Sequence, residues 1–384
     1  MIVENTFKSR VANLRSWFLD QSVPFWSQFG VDHSAGGFFE KLDSIPPFSP
    51  TAEPRRARLV ARQIYFFAVA ESLGWKGPAD DIINHGFEFL NQYLVSSSGR
   101  ISASCSHSGE IIDGRQHLYD VAFVLLALSM QAMRVSEPSV YEELAIQIVT
   151  QLVTNSYGGY IDEVTPSMQC ANPHMHLFEA FLAWTTATDL KSQFWIERTE
   201  LLAKLACSSL IQPDIGVLPE HFDHQWKPIK TNGFYVIEPG HQFEWSWLLA
   251  RWSSITGNMH TASSAFRLCT LAEDYGINTT RNTVVDCFDQ DLVIRDRTSR
   301  LWQQAERVKA WHFHVLLDKH VECETYLEGS IRSLSSFLDG PFPGLWYDEM
   351  SPEGIFVPTP IKASSGYHIA CALDSLVSSQ GLSS

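Results

Sequence analysis

Apolar residues recur along this chain at three- and four-residue intervals, and the recurrence returns in blocks from the first residues to the last. That period belongs to amphipathic helices, and it predicts helices over roughly 4–22, 55–74, 78–95, 118–134, 139–154, 173–190, 192–210, 241–256, 260–275, 302–318, 322–338 and 365–378. Local punctuation agrees with the blocks: Gly74 closes one helix and Pro78 opens the next.

Short extended links separate alternate helices. They are Gly36 to Glu40, Gly99 to Ala103, Gly158 to Glu163, Gly216 to Glu220, Val284 to Phe288 and Gly344 to Glu349. Five of the six begin with glycine and four end on an acid, spaced by about two helices and a turn. A helical hairpin repeated in this way cannot bury its apolar face alone. Six of them bury every face by curling into a closed ring of inner helices covered by outer ones, an all-α (α/α)6 barrel with the links at one rim. The expected organisation is one such domain over 1–384. An open solenoid would end in a polar repeat, whereas Tyr367, Ile369, Ala370, Cys371, Ala372 and Leu373 are apolar. Chemistry is expected at the rim, where helix starts and links converge.

Composition narrows the partners. With 45% hydrophobic and 18% charged residues, 384 residues support a large core, and no apolar run reaches membrane-spanning length. Residues 1–21 mix Glu4, Lys8, Arg10, Arg15 and Asp20 into an amphipathic helix and lack the pattern of a signal peptide. A net charge of -15, with no basic cluster beyond Arg55, Arg56 and Arg58, argues against nucleic acid and anionic membranes. Seven scattered cysteines without a CxxC pair fit reduced thiols in a cytoplasmic protein and argue against a cysteine zinc site.

Three histidines fall at expected helix starts. In Glu238-Pro239-Gly240-His241-Gln242-Phe243-Glu244-Trp245, His241 and Glu244 share a face, so the carboxylate is placed to hold the ring and fix its tautomer. In Asn172-Pro173-His174-Met175-His176, asparagine is expected to cap the helix, and only one of the two histidines can face the barrel axis. An HxH pair on a helix is a poor metal site, and no metal or other cofactor is expected. His368 follows Gly366 and Tyr367 in the same manner. A helix N-terminus depresses an imidazole pKa, which favours a neutral base at all three places. Arg62 is a charge inside an apolar helix, either snorkelling, ion-paired or set to polarise a substrate oxygen. Tyr119, beside Asp120, offers an inward phenol, and Trp302, in Trp302-Gln303-Gln304-Ala305-Glu306, belongs to a set of 12 tryptophans suited to stacking on sugar rings.

At these residues the chain resembles the N-acylglucosamine 2-epimerase superfamily, which includes mannose isomerases and cellobiose 2-epimerases. The resemblance rests on Ala61-Arg62-Gln63, Leu118 to Phe123, Asn172 to His176, Pro239 to Trp245, Trp302 to Glu306 and Tyr367-His368. It implies an (α/α)6 barrel and a cofactor-free sugar isomerase or epimerase. It further implies His241 and His368 as the acid/base pair, with Arg62, Asn172, His176 and Glu244 around the reacting carbons. Tyr119, Trp302 and Glu306 would shape the pocket. In that scheme His241 assists ring opening and His368 removes the C2 proton to give a cis-enediolate. Return of the proton to C1 gives a ketose, and return to the other face of C2 gives an epimer. The compact chain, the Asn-Pro-His-Met-His form and the lack of a glycine-rich phosphate loop point towards interconversion of D-mannose and D-fructose. The expected partner is a small monosaccharide, and the expected state is a monomer or homodimer. A 2-epimerase, or an isomerase of a sulfonated or phosphorylated sugar held by Arg62 or Lys362, is the alternative. A glycoside hydrolase would instead need two carboxylates across the cleft, from Asp162, Glu163, Glu220 or Glu244. A non-catalytic sugar-binding protein is the remaining class.

Overall fold

A computed structural model describes residues 2–187, 192–317 and 321–378. Its helices are α1 (Ile2–Trp17), α2 (Val23–Phe29), α3 (Ala57–Ser72), α4 (Ala79–Phe89), α5 (Leu118–Ala132), α6 (Ser139–Thr150), α7 (Ala171–Ala187), α8 (Ser192–Leu205), α9 (Pro239–Thr256), α10 (Met259–Tyr275), α11 (Leu301–Leu317), α12 (Val321–Leu338) and α13 (Ser365–Ser378). The final residues of the helices expected over 173–190 and 302–318 lie outside the described residues. The expected helix 4–22 is α1 extended by a π-turn, Phe18–Ser22, and a further helix, α2, follows it with Pro24 in its first turn. Proline lacks the N–H that a first turn leaves unpaired, so it starts a helix here instead of ending one.

The odd-numbered helices from α3 to α13 form the inner wall. Each packs on the next, and α13 returns to α3, which closes the ring. The others lie outside, α4, α6, α8, α10 and α12 each on its preceding inner helix and α1 on α13. This is the (α/α)6 barrel. Its layering explains the composition of the helices. Inner helices are wrapped on all sides, so every residue of α9 from Pro239 to Ala250 is buried. An outer helix such as α4 buries one stripe and exposes the rest. Closure is fixed by aromatic packing between the chain's two ends: Trp26 of α2 stacks on Trp346 at 5.1 Å, a contact worth about 0.5–1.5 kcal/mol beyond burial.

Hairpins turn tightly at the far end of the barrel. Gly257 takes the left-handed conformation (φ 71°) that ends α9, and the Asn258 side chain accepts from the His260 and Thr261 amides to start α10. At the near end lie two- and three-residue antiparallel ladders. Arg55–Arg56 pairs with Ser104–Cys105, Gln169–Cys170 with His221–Phe222, Ser299–Arg300 with Glu349–Met350, and Ile361–Lys362 with Lys41–Leu42. The extended links expected from the sequence are mostly single bridges or irregular backbone, such as Val31 to Phe38 and Val95 to Ile101. The true ladders sit one step further on, immediately before α3, α7, α11 and α13. They thereby pin the N-termini of inner helices to one rim. No described helix is long and apolar enough to cross a membrane.

Candidate active site

All six inner helices contribute to one cavity of about 510 Å³ at that rim, a size suited to a small molecule. Its wall includes Arg58 and Arg62 of α3, Tyr119 of α5, Asn172 and His176 of α7, His241 and Glu244 of α9, Trp302 of α11 and His368 of α13. Each lies in the first two turns of its helix. Eight of the nine site residues expected from the sequence therefore line the cavity. Glu306 does not; it sits behind His368.

The two imidazoles meet the same indole. Trp302 lies 4.8 Å from the His241 ring and 5.7 Å from that of His368. Gly240 permits this approach, because a Cβ there would meet Trp302 at 2.7 Å and the Gln303 side chain at 2.6 Å. Gly240→Ala is expected to cost about 1–3 kcal/mol of stability and, by displacing Trp302 from both rings, about tenfold in kcat/KM. Chemical denaturation and steady-state kinetics on the same preparation check both.

Their electrostatics differ. His241 Nδ1 lies 2.9 Å from Glu220 and 3.7 Å from Glu238. Burial opposes the charged ring, but these carboxylates outweigh it and push the imidazole up to about 10, so it is a cation at neutral pH. This corrects two expectations. Glu220, not Glu244, orients the ring, and the charge of those carboxylates overrides the helix dipole. His368 behaves in the opposite sense: burial, with Arg62 and Lys309 nearby, holds it well below the usual histidine value. Its Nδ1–H donates to Glu306 at 2.7 Å, which leaves the Nε2 lone pair unengaged among the described residues. His176 is likewise held neutral, at about 4, by burial, with Nδ1 at 3.2 Å from Glu179. Its neighbour His174 turns away from the cavity, between the Cys170 carbonyl and the Tyr160 backbone.

Arg62 neither snorkels nor forms an ion pair with a described carboxylate. Its guanidinium lies 4.0 Å over Phe123 and donates to the Tyr119 hydroxyl at 2.6 Å, while its Nε has no partner. The Tyr119 proton is thereby free to donate to a substrate oxygen. Asn172 lies within the first turn of α7 instead of capping it, and its buried Oδ1 has no partner. Glu244 is fully buried with neither oxygen hydrogen-bonded among the described residues, Oε1 lying 3.7 Å from His176 Nδ1, and burial together with Glu306 raises its carboxyl well above the ordinary range. A neutral carboxyl, a free amide oxygen and an unopposed cation thus face one small volume. That set matches a polyhydroxylated ligand on which negative charge develops.

Among the hydrolase candidates only Glu244 lines the cavity. Glu163 pairs with Arg100 at the surface, Asp162 accepts from the Val164 amide, and Glu220 lies behind His241. Among the described residues, three groups bring possible metal-ligand atoms within 4.8 Å: His176, Glu179 and Glu244; Glu220, Glu238 and His241; and Glu244, Glu306 and His368. In each group the imidazole Nδ1 already faces a carboxylate. Exhaustive dialysis against EDTA is expected to leave turnover within about twofold, and recovery of lost turnover by a divalent ion would overturn that.

Two participants have roles the sequence does not announce. Glu220 reads there as an acid ending a link and as a hydrolase carboxylate, and Lys309 as one charge beside Glu306 and Arg307 in α11.

Comparison with known proteins decides the lineage. Residues 37–372 match the sequence profile of the N-acylglucosamine 2-epimerase (GlcNAc 2-epimerase) family. The chain belongs to that family. A mannose-6-phosphate isomerase of Rhizobium meliloti is 34% identical over 95% of this chain and 96% of its own length. A D-mannose isomerase of Marinomonas mediterranea is 25% identical over 86% and 87%. The structure of a cellobiose 2-epimerase from Spirochaeta thermophila superposes with a TM-score of 0.85 at 20% identity, covering 97% of each chain, which shows the shared barrel. As a member of the N-acylglucosamine 2-epimerase family, the chain is an enzyme of the sugar isomerase and epimerase class.

Proposed function

We propose that this chain, as one (α/α)6 domain, interconverts D-mannose and D-fructose without a metal or other cofactor. The observation that carries the reading is the opposed charge of two imidazoles on one indole, a cationic His241 tied to Glu220 and a neutral His368 tied to Glu306. Pairs of titratable groups pushed apart by their surroundings divide into acid and base.

On the cyclic sugar, His241 donates a proton to the ring oxygen, the O1 proton leaves to solvent, and the C1–O5 bond breaks to give the aldehyde. His368 Nε2 then takes the proton from C2. The C2–H electrons form the C1=C2 bond and the carbonyl pair moves onto O1, giving a cis-enediolate. Arg62 and the Tyr119 hydroxyl supply positive charge and a proton donor for that oxygen, and Asn172 accepts from a neighbouring hydroxyl. His368 returns its proton to C1. The O2 proton passes to O1, and the electrons it leaves form the C2 carbonyl as C1 takes its proton, which completes the ketose. One face of the enediolate suffices for this, whereas epimerisation needs a donor on each face of C2.

A proton NMR time course on mannose in deuterium oxide tests the reading. Fructose carrying one deuterium at C1 is expected. Glucose alone, labelled at C2, would make the enzyme an epimerase, and no conversion would reject both.

One observation favours a second substrate. Lys41 and Lys362 occupy paired positions at the cavity mouth beside Arg56 and Arg58; Lys41 and Arg56 are matched by Glu53 and Glu40, but Lys362 has no ion pair among the described residues. That edge, with the R. meliloti relative named for mannose 6-phosphate, supports a sugar bearing an anion at its far end. Substituting mannose 6-phosphate in the same time course decides between them by the ratio of initial rates.

A further inference from the structure

Beneath the cavity floor is a lysine that does not line the cavity. Lys309 is fully buried on α11, one turn after Glu306, with its Nζ 2.6 Å from Glu306 Oε2 and 3.9 Å over the Trp247 ring. A lysine without exposure is rare unless its charge is matched. Glu306 spends its other oxygen on His368 Nδ1, at 2.7 Å. Three residues from two neighbouring inner helices thus form a continuous line from the protein interior to the cavity: Lys309, Glu306, His368.

We infer that Lys309 is a positioning residue for the proposed proton transfer: its ammonium holds Glu306 as an oriented carboxylate, and that carboxylate holds His368 with Nδ1 protonated and Nε2 open to the sugar. This role presupposes His368 as the base at C2. Its physical ground is the isolation of Glu306. Burial and the nearby Glu179 of α7 penalise its charge, and Lys309 is the largest influence favouring it, ahead of His176 of α7. Burial alone drives Glu306 towards the neutral acid. A protonated Glu306 could present its O–H to His368 Nδ1, fixing the wrong tautomer and turning the Nε2 hydrogen towards the substrate. Lys309 opposes this from the far side. The groups bearing on Lys309 in turn are Glu306 of its own helix, Glu244 and Trp247 of α9, Glu179 of α7 and Cys371 of α13. The lysine thus also offsets the repulsion between the buried carboxylates of Glu306 and Glu179.

The consequence is a specific coupling. Lys309 does not reach the substrate, so its removal should lower kcat and leave KM nearly unchanged. Because it acts through Glu306, its removal should cost little once Glu306 has lost its charge. The experiment is a double-mutant cycle on mannose with Lys309→Met, which keeps length and volume, Glu306→Gln, and both together. Expected are about a 30-fold or greater fall in kcat for each single variant, KM within about threefold, and a double variant within about threefold of Glu306→Gln. Wild-type kcat retained by Lys309→Met, or a double variant slower than Glu306→Gln by more than about tenfold, would overturn the inference. Should Lys309→Met fail to fold, the comparison of the double variant with Glu306→Gln still decides, since both charges then leave together. Wild-type turnover is the control: its absence would reject the isomerase reading itself, whereas turnover with an uncoupled cycle rejects only the role of Lys309.

Discussion

His368→Ala is expected to lower kcat on mannose by about 10²–10⁴-fold while KM changes little. The ring carries the one neutral imidazole nitrogen that is both turned to the cavity and backed by a carboxylate held to a cation. Removing it takes away the base at C2 and nothing that holds the sugar, since Arg62, Tyr119, Asn172 and Glu244 stand on other helices. The fold should survive. Glu306 keeps Lys309 at 2.6 Å, so no unpaired charge is left buried, and the lost ring contacts are one to Trp302 at the cavity wall and one to the buried Tyr367. Circular dichroism should match the wild type. A variant that folds and retains more than about a tenth of the rate would place the base elsewhere, with His176 the next neutral imidazole.

The second large effect concerns His241 and is read from pH. An acid must be protonated to act, so kcat/KM falls as pH rises through its pKa; a base must be unprotonated, so the rate falls as pH falls through its own. With His241 raised to about 10 and His368 held below the ordinary histidine range, the two limbs lie far apart. A plateau through neutrality to about pH 9 is expected, unlike the narrow bell of two ordinary histidines. Glu220→Gln removes the carboxylate at 2.9 Å and leaves the more distant Glu238 as the main support against burial, so the upper limb should move at least about one unit towards neutrality. His241→Ala should lose at least about 10²-fold. Rate profiles from pH 5 to 10.5 on wild type and Glu220→Gln measure this, and an upper limb indifferent to Glu220 would contradict the assignment of His241 as the acid.

Much of the barrel was legible because helices are local. Apolar recurrence, Gly74 with Pro78 and the glycine after Thr256 mark their limits without reference to neighbours. The cavity was legible for a related reason: its residues occupy the first turns of inner helices, where a Pro or Gly beside a His announces the place. What escaped depends on approach between distant segments. Glu220 reaches His241 across 21 positions because the Gln169–Cys170 ladder with His221–Phe222 folds its link over the rim. Two-residue ladders carry too little alternation to be read. The cation His241 was misjudged for the same reason, since a dipole can be inferred from its own helix but Glu220 cannot. Asn172 was read as a cap from residue type, whereas the ladder before α7 already sets the start of that helix.

The central claim is a proton carried between C2 and C1 by a side chain exposed in turn to solvent. The most direct measurement follows mannose deuterated at C2 through conversion in ordinary water. Loss of a substantial part of the label to solvent, with the remainder at C1 of fructose, is the result expected of His368. Complete retention of the deuterium at C1 would mean a direct hydride shift, and the acid/base account would fall.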